Sequence, residues 1–189
     1  MSSKRALLID MDGTLVDTAG ANFLAYSIVL AQVGIKITKK DFENMAFGKN
    51  WKQFLPALLL AHKVEISPQE ISSKKMEKYA EMMDMITVNV ALVKLLESTR
   101  QLFSTALVTS ASAINVSNVL TFHNLSHLFD VIVTGEDVTR HKPHPEGYII
   151  AAKRLAVTPG QCIIFEDSEV GVASARAFGA DVIAVKMIS

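Results

Sequence analysis

Cysteine is nearly missing from this chain, and the one present, Cys162, leaves no internal disulfide to staple the fold and suits a reducing compartment. It opens the apolar run Cys162-Ile163-Ile164-Phe165, where a thiol packs as a small hydrophobe. Net charge is missing too: 19 Lys and Arg balance 19 Asp and Glu, which argues against a nucleic-acid binder working through a broad basic surface. No apolar run is long enough to cross a bilayer, since the stretch from Leu55 to Ala61 is short and holds Pro56. The run after Lys4-Arg5 is too short for a signal peptide, so a cytoplasmic protein is expected. Internal repeats, heptads and low-complexity segments are absent as well. What remains is 189 residues, half of them apolar and a fifth charged. That composition argues against disorder and supports one core, or a core with a modest inserted domain.

The chain is organised around Ala6-Leu7-Leu8-Ile9-Asp10-Met11-Asp12-Gly13-Thr14. Four apolar residues stopping at turn chemistry read as a strand buried on both faces. Asp10 then stands where the strand hands over to a loop, the end of a parallel sheet at which ligands collect. A calcium loop is disfavoured, because Thr14 and Ala21 occupy the fifth and twelfth positions counted from Asp10. Asp-Gly alone is also a common turn dipeptide.

From Asp17 to about Met85 only helical patterns follow. One runs from Ala19 to Val33 and is stopped by Gly34; a second is capped by Thr38; a third covers Trp51 to His62, with Pro56 delaying or kinking it. A fourth begins at Ser67-Pro68-Gln69-Glu70, a strong start signal. Beyond them strands alternate with helices. Strands are expected at 104–109, 130–133, 163–165 and 182–185, and helices at 93–102, 114–122, 144–155 and 170–178. The alternation implies parallel crossovers, hence an α/β chain with a doubly wound, Rossmann-like parallel sheet. The expected division is a core of residues 1–16 and 90–189 with an inserted all-helical cap of residues 17–89.

Polar residues suited to one task stand at the ends of three strands: Asp10 and Asp12, Thr109 and Ser110, Glu166 and Asp167. The loop His141-Lys142-Pro143-His144-Pro145 adds a lysine. Converging carboxylates repel one another unless a cation joins them, and oxygen-only ligands favour Mg²⁺. Hydroxyls and a lysine are the donors that a phosphoryl group's oxygens require. Each residue also has a plainer reading. Thr109 can cap the following helix, Lys142 can be a surface lysine, and Glu166-Asp167 can be loop carboxylates at a helix start. His141 and His144 lack further nearby ligands for zinc.

In order and placement, these segments resemble the four motifs of the haloacid dehalogenase superfamily, in the branch with a helical cap. Asp10-Met11-Asp12-Gly13-Thr14 resembles the first motif and Thr109 the second. Lys142-Pro143-His144-Pro145-Glu146 is similar to the third, and Glu166-Asp167-Ser168-Glu169-Val170-Gly171 to the fourth. The resemblance implies Asp10 as nucleophile and Asp12 as general acid and base. It implies Thr109, the Ser110 amide and Lys142 as phosphate ligands, with Mg²⁺ held by Asp10, the Asp12 carbonyl, Glu166 and Asp167.

The chain departs from that pattern in lacking a His near Asn22 and a Pro-Gly pair around Asn89-Val90, and in placing His141 before the motif lysine. It also stops soon after the fifth core strand. The resemblance points to a phosphatase for a small phosphorylated metabolite, of sugar phosphate or phosphoglycolate type. The alternatives are a mutase resembling β-phosphoglucomutase and a non-catalytic binding protein on the same scaffold. A monomer or weak homodimer is expected, without nucleic-acid or membrane partners. Lys49, Asn50, Trp51 and Lys52 form the loop expected to read the substrate's distal end, although a plain helix–helix turn fits them equally well.

Overall fold

A computed structural model describes residues 5–46 and 51–187. The chain forms two compact units, Met1–Asp17 with Thr87–Ser189 and, inserted between them in sequence, Thr18–Ile86.

The first unit is built on β1 (Arg5–Ile9), β4 (Phe103–Val108), β5 (Val131–Val133), β6 (Cys162–Glu166) and β7 (Asp181–Ala184). All pairings in this sheet are parallel, in the order β5-β4-β1-β6-β7. Of these five strands the earliest in sequence, β1, is therefore the middle one, with Ala6 opposite Ser104 on one side and Cys162 on the other. Its helices are α5 (Val90–Thr99), α6 (Ala113–Phe122), α7 (Glu146–Arg154) and α8 (Glu169–Phe178). On one face of the sheet Ala6, Leu8, Ala106, Val108, Cys162 and Ile164 pack with Tyr148, Ala151 and Ala152 of α7 and with Ala175 and Phe178 of α8. Leu7, Ile9 and Leu107 alternate with those positions and are buried as well, so the strands are covered on both faces. This is why they read as continuous apolar runs. Helix α8 buries Gly171, Ser174, Ala175 and Phe178, and Gly179 ends it in the left-handed conformation at φ +90°.

Before leaving this unit, the chain forms β2 (Val16–Asp17), which pairs antiparallel with β3 (Thr87–Val88) on its return. Asn89 follows at once. Its amide donates to the Leu15 carbonyl, its Nδ2 to the Thr14 carbonyl, and its Oδ1 caps α5 by accepting from Leu92 N. The cap starts α5 at Val90, earlier than the periodicity alone indicated.

The second unit contains α1 (Ala19–Gln32), α2 (Lys39–Ala46), α3 (Trp51–Ala61) and α4 (Pro68–Ala80). Tyr26, Val29, Leu30, Phe54, Leu55, Leu59 and Ile71 share its core. Ser67 Oγ accepts from Glu70 N, as the start signal anticipates. Pro56 is carried inside α3. Among the described residues, no helix is long and apolar enough to cross a membrane.

Candidate active site

Asp10 extends the ladder of β1 by one bond, its amide donating to Phe165 O at 3.0 Å, and the residue is only 6% exposed. Burial pushes its carboxyl well above the usual range; the Lys142 charge beside it pulls the other way. Lys142 comes from the loop ahead of α7, and its ammonium spends three donors on three acceptors: Asp10 Oδ1 at 2.6 Å, Glu166 Oε1 at 2.5 Å and Val108 O at 3.2 Å. Burial works against that charge, but Asp10, Tyr148 and Glu166 overcome it and hold the lysine above its ordinary range.

Glu166 ends β6 with no exposed surface. Its Oε1 accepts from Lys142 Nζ and from Tyr148 OH at 2.8 Å. Its Oε2 faces the start of α8, accepting from Asp167 N, Ser168 N and Ser168 Oγ at 3.2–3.4 Å. Gly171 makes room for this carboxylate, since a Cβ there would stand 2.0 Å from its Oε1. Asp167 lies under the first loop, accepting from Thr14 Oγ1 at 3.4 Å. Gly13, at φ +85°, is needed twice over: for its backbone conformation, and because a Cβ would come 2.1 Å from Asp167 Oδ2. Burial, then the neighbouring Glu166, raise the Asp167 carboxyl to about 6.

Oxygens of Asp10, Glu166 and Asp167 lie within 4.8 Å of one another. An all-carboxylate donor set of two buried residues and one half-buried one, with burial raising the Asp10 and Asp167 carboxyls, fits a hard divalent cation. Thr109, just past β4, accepts from Ala111 N at 3.0 Å and donates weakly to Asp12 Oδ2 at 3.5 Å. Ser110 follows it, exposed.

Thus Asp10, Lys142, Glu166 and Asp167 meet in one cluster, with Asp12 and Thr109 linked at its side. Trp51 and Lys52 belong to the helical unit, where the Lys52 ammonium lies 5.6 Å from the Trp51 ring centroid. Lys49 and Asn50 lie outside the described residues. Sequence reasoning missed Tyr148. Its place on the inward stripe with Ala151 and Ala152 signals core, and nothing local signals that its hydroxyl reaches Glu166. It also missed how Glu146 closes its own loop, accepting from Thr139 N at 2.9 Å and from Arg140 N at 3.1 Å.

The sequence profile of the haloacid dehalogenase-like hydrolases matches residues 7–185, and the chain belongs to that family. Among its relatives, the fructose-1-phosphate phosphatase YqaB of Escherichia coli is 28% identical over 182 residues, 96% of each chain. A phosphorylated carbohydrates phosphatase of Thermotoga maritima is 31% identical over 176 residues, 92% of this chain and 81% of its own. CbbY from Rhodobacter sphaeroides, solved in complex with phosphate, has a TM-score of 0.87 at 25% identity and matches 98% of this chain and 87% of its own. In company with these relatives, the chain is a phosphoric monoester hydrolase.

Proposed function

We propose that this enzyme is a Mg²⁺-dependent phosphatase for small phosphorylated sugars, acting through a phosphoryl group held covalently on Asp10. The observation that carries this reading is the meeting of Asp10 with Lys142, Glu166 and Asp167 at the ends of adjacent parallel strands. The names of the relatives support the substrate class, since both phosphatases act on sugars or carbohydrates in phosphorylated form.

Asp10, Glu166 and Asp167, with the Asp12 carbonyl, are the groups that would hold Mg²⁺. The ion, when bound, offsets the negative charge of carboxylates and phosphate. An Asp10 carboxylate oxygen attacks phosphorus as the phosphorus–oxygen bond to the sugar breaks. Asp12 gives its proton to the departing sugar oxygen. It then takes one from the water that attacks the aspartyl-phosphate, releasing inorganic phosphate and restoring Asp10. Lys142, already bonded to Asp10, neutralises charge on the nucleophile and on the phosphoryl oxygens that come to it. Thr109 Oγ1 and the Ser110 amide supply further donors. The helical unit serves as the cap that selects the sugar.

Release of inorganic phosphate from a panel of sugar phosphates with Mg²⁺ tests the reading. Asp10→Asn is expected to lower kcat by at least about 10³-fold while the fold persists. Unimpaired turnover in that variant refutes the nucleophile. Conversion of β-glucose 1-phosphate to glucose 6-phosphate, without free phosphate, would instead make the enzyme a mutase.

A further inference from the structure

Tyr148 has no part in the reaction just described, yet its hydroxyl sits inside the charged cluster. It lies in the first turn of α7 with no exposed surface, its ring among the apolar residues of the sheet face and 6.2 Å from that of Phe178. Its hydroxyl donates to Glu166 Oε1 at 2.8 Å, the oxygen that also receives the Lys142 ammonium. The ammonium in turn lies 5.4 Å from the centroid of the Tyr148 ring. One side chain therefore touches both members of the buried ion pair, through its hydroxyl on one and its ring on the other.

Lysine carries its charge on a long flexible stem, so the position of the ammonium is decided by what receives its protons. Of the three acceptors here, the Val108 carbonyl is fixed in the sheet and Asp10 is the group to be served. Glu166 is the third, and a glutamate can swing. Its Oε2 is tied to Asp167 and to Ser168, the residue that caps α8. Among the described residues, the donors to its Oε1 are Lys142 and Tyr148. A second donor at Oε1 fixes the carboxylate about both ends, and with it the place from which Lys142 reaches Asp10.

We propose that Tyr148 is a positioning residue for Lys142: its hydroxyl holds Glu166 Oε1 in place, and the glutamate holds the ammonium beside Asp10. The inference rests on the role given to Lys142 above and deepens it. Tyr148→Phe keeps the ring and removes only the hydroxyl. The expected result is a kcat lower by roughly 10-fold with KM changed less than about 2-fold, in protein that is folded by circular dichroism. In lysine-labelled protein without substrate, the ¹⁵N resonance of the Lys142 ammonium, assigned by its disappearance in Lys142→Arg, is expected to move. A tyrosine that merely fills the core would lower the melting temperature and leave both readouts where they were. An unchanged kcat or an unmoved resonance overturns the proposal. Should Tyr148→Phe fail to fold, Tyr148→Met, which fills similar space without a hydroxyl, carries the same two measurements. Failure of the underlying reading is distinct, because it appears as turnover surviving in Asp10→Asn. An inactive Asp10→Asn beside an unaltered Tyr148→Phe removes the positioning role alone.

Discussion

Gly171 records how closely the acidic centre is built. Its missing side chain is where the Glu166 carboxylate lies, and that carboxylate cannot retreat freely because Lys142, Tyr148, Asp167 and Ser168 all donate to it. Gly171→Ala must therefore push α8 off the end of β6 or push Glu166 off Lys142. Overpacking of this kind costs about 1–3 kcal/mol. The second displacement also disturbs the lysine, so kcat is expected to fall by roughly 10-fold or more alongside the loss of stability. Urea unfolding and steady-state kinetics on the same preparation check it, and wild-type values in both would mean the helix start yields without consequence. Gly20 is the natural control, since a Cβ there meets nothing within 4 Å.

The loop between β5 and α7 is an element in its own right, and Glu146 is what closes it. The bond from the Thr139 amide, with those from the Thr139 hydroxyl and from Arg140, takes its carboxyl from 4.5 down to about 2. A carboxyl that ionises more readily when folded adds stability in full above about pH 5. That contribution drains away as the pH falls toward 2, because the unfolded chain takes up its proton first. Glu146→Gln is accordingly expected to be less stable than wild type at neutral pH, with the gap narrowing as the pH falls through that window. Urea midpoints measured from pH 7 to pH 2 follow it, and a constant gap would show that ionisation of Glu146 is irrelevant. The elements themselves were largely legible. Apolar runs ending in turn residues marked β1, β4, β5, β6 and β7, and Ser67-Pro68 marked the start of α4. Less legible were features whose cause lies far along the chain. Strands β2 and β3 are two residues each and exist because they meet each other. Asn89 stands out in the sequence only for the Pro-Gly pair missing around it, and its role comes from its bonds to Thr14 and Leu15. Likewise, Asp10, Thr109, Lys142 and Asp167 could be picked out by type and place. Tyr148 could not, because its hydroxyl finds Glu166 only after a crossover returns the chain to the sheet.

At the scale of the whole molecule, the cluster of Asp10, Glu166 and Asp167 exists only when β1 and β6 are paired, so a cation held there binds the folded chain and not the unfolded one. Such a ligand at about 100 times its Kd adds roughly 2.7 kcal/mol, or about 5–10 °C in melting temperature for a chain of this size. Mg²⁺ is expected to raise the melting temperature by that order relative to protein in chelator, and Asp167→Asn to abolish most of the rise. Equal shifts in both proteins would place the ion elsewhere. The strand order has a further consequence during synthesis. A ribosome makes the central strand well before its two neighbours, which begin at Phe103 and Cys162. Until they emerge, Ala6-Leu7-Leu8-Ile9, buried on both faces in the fold, lacks the two neighbours it pairs with, and unpaired apolar strands of this kind favour aggregation. The inserted helices meet one another within Thr18–Ile86, α1 packing on α4, and need neither of those late strands to do so.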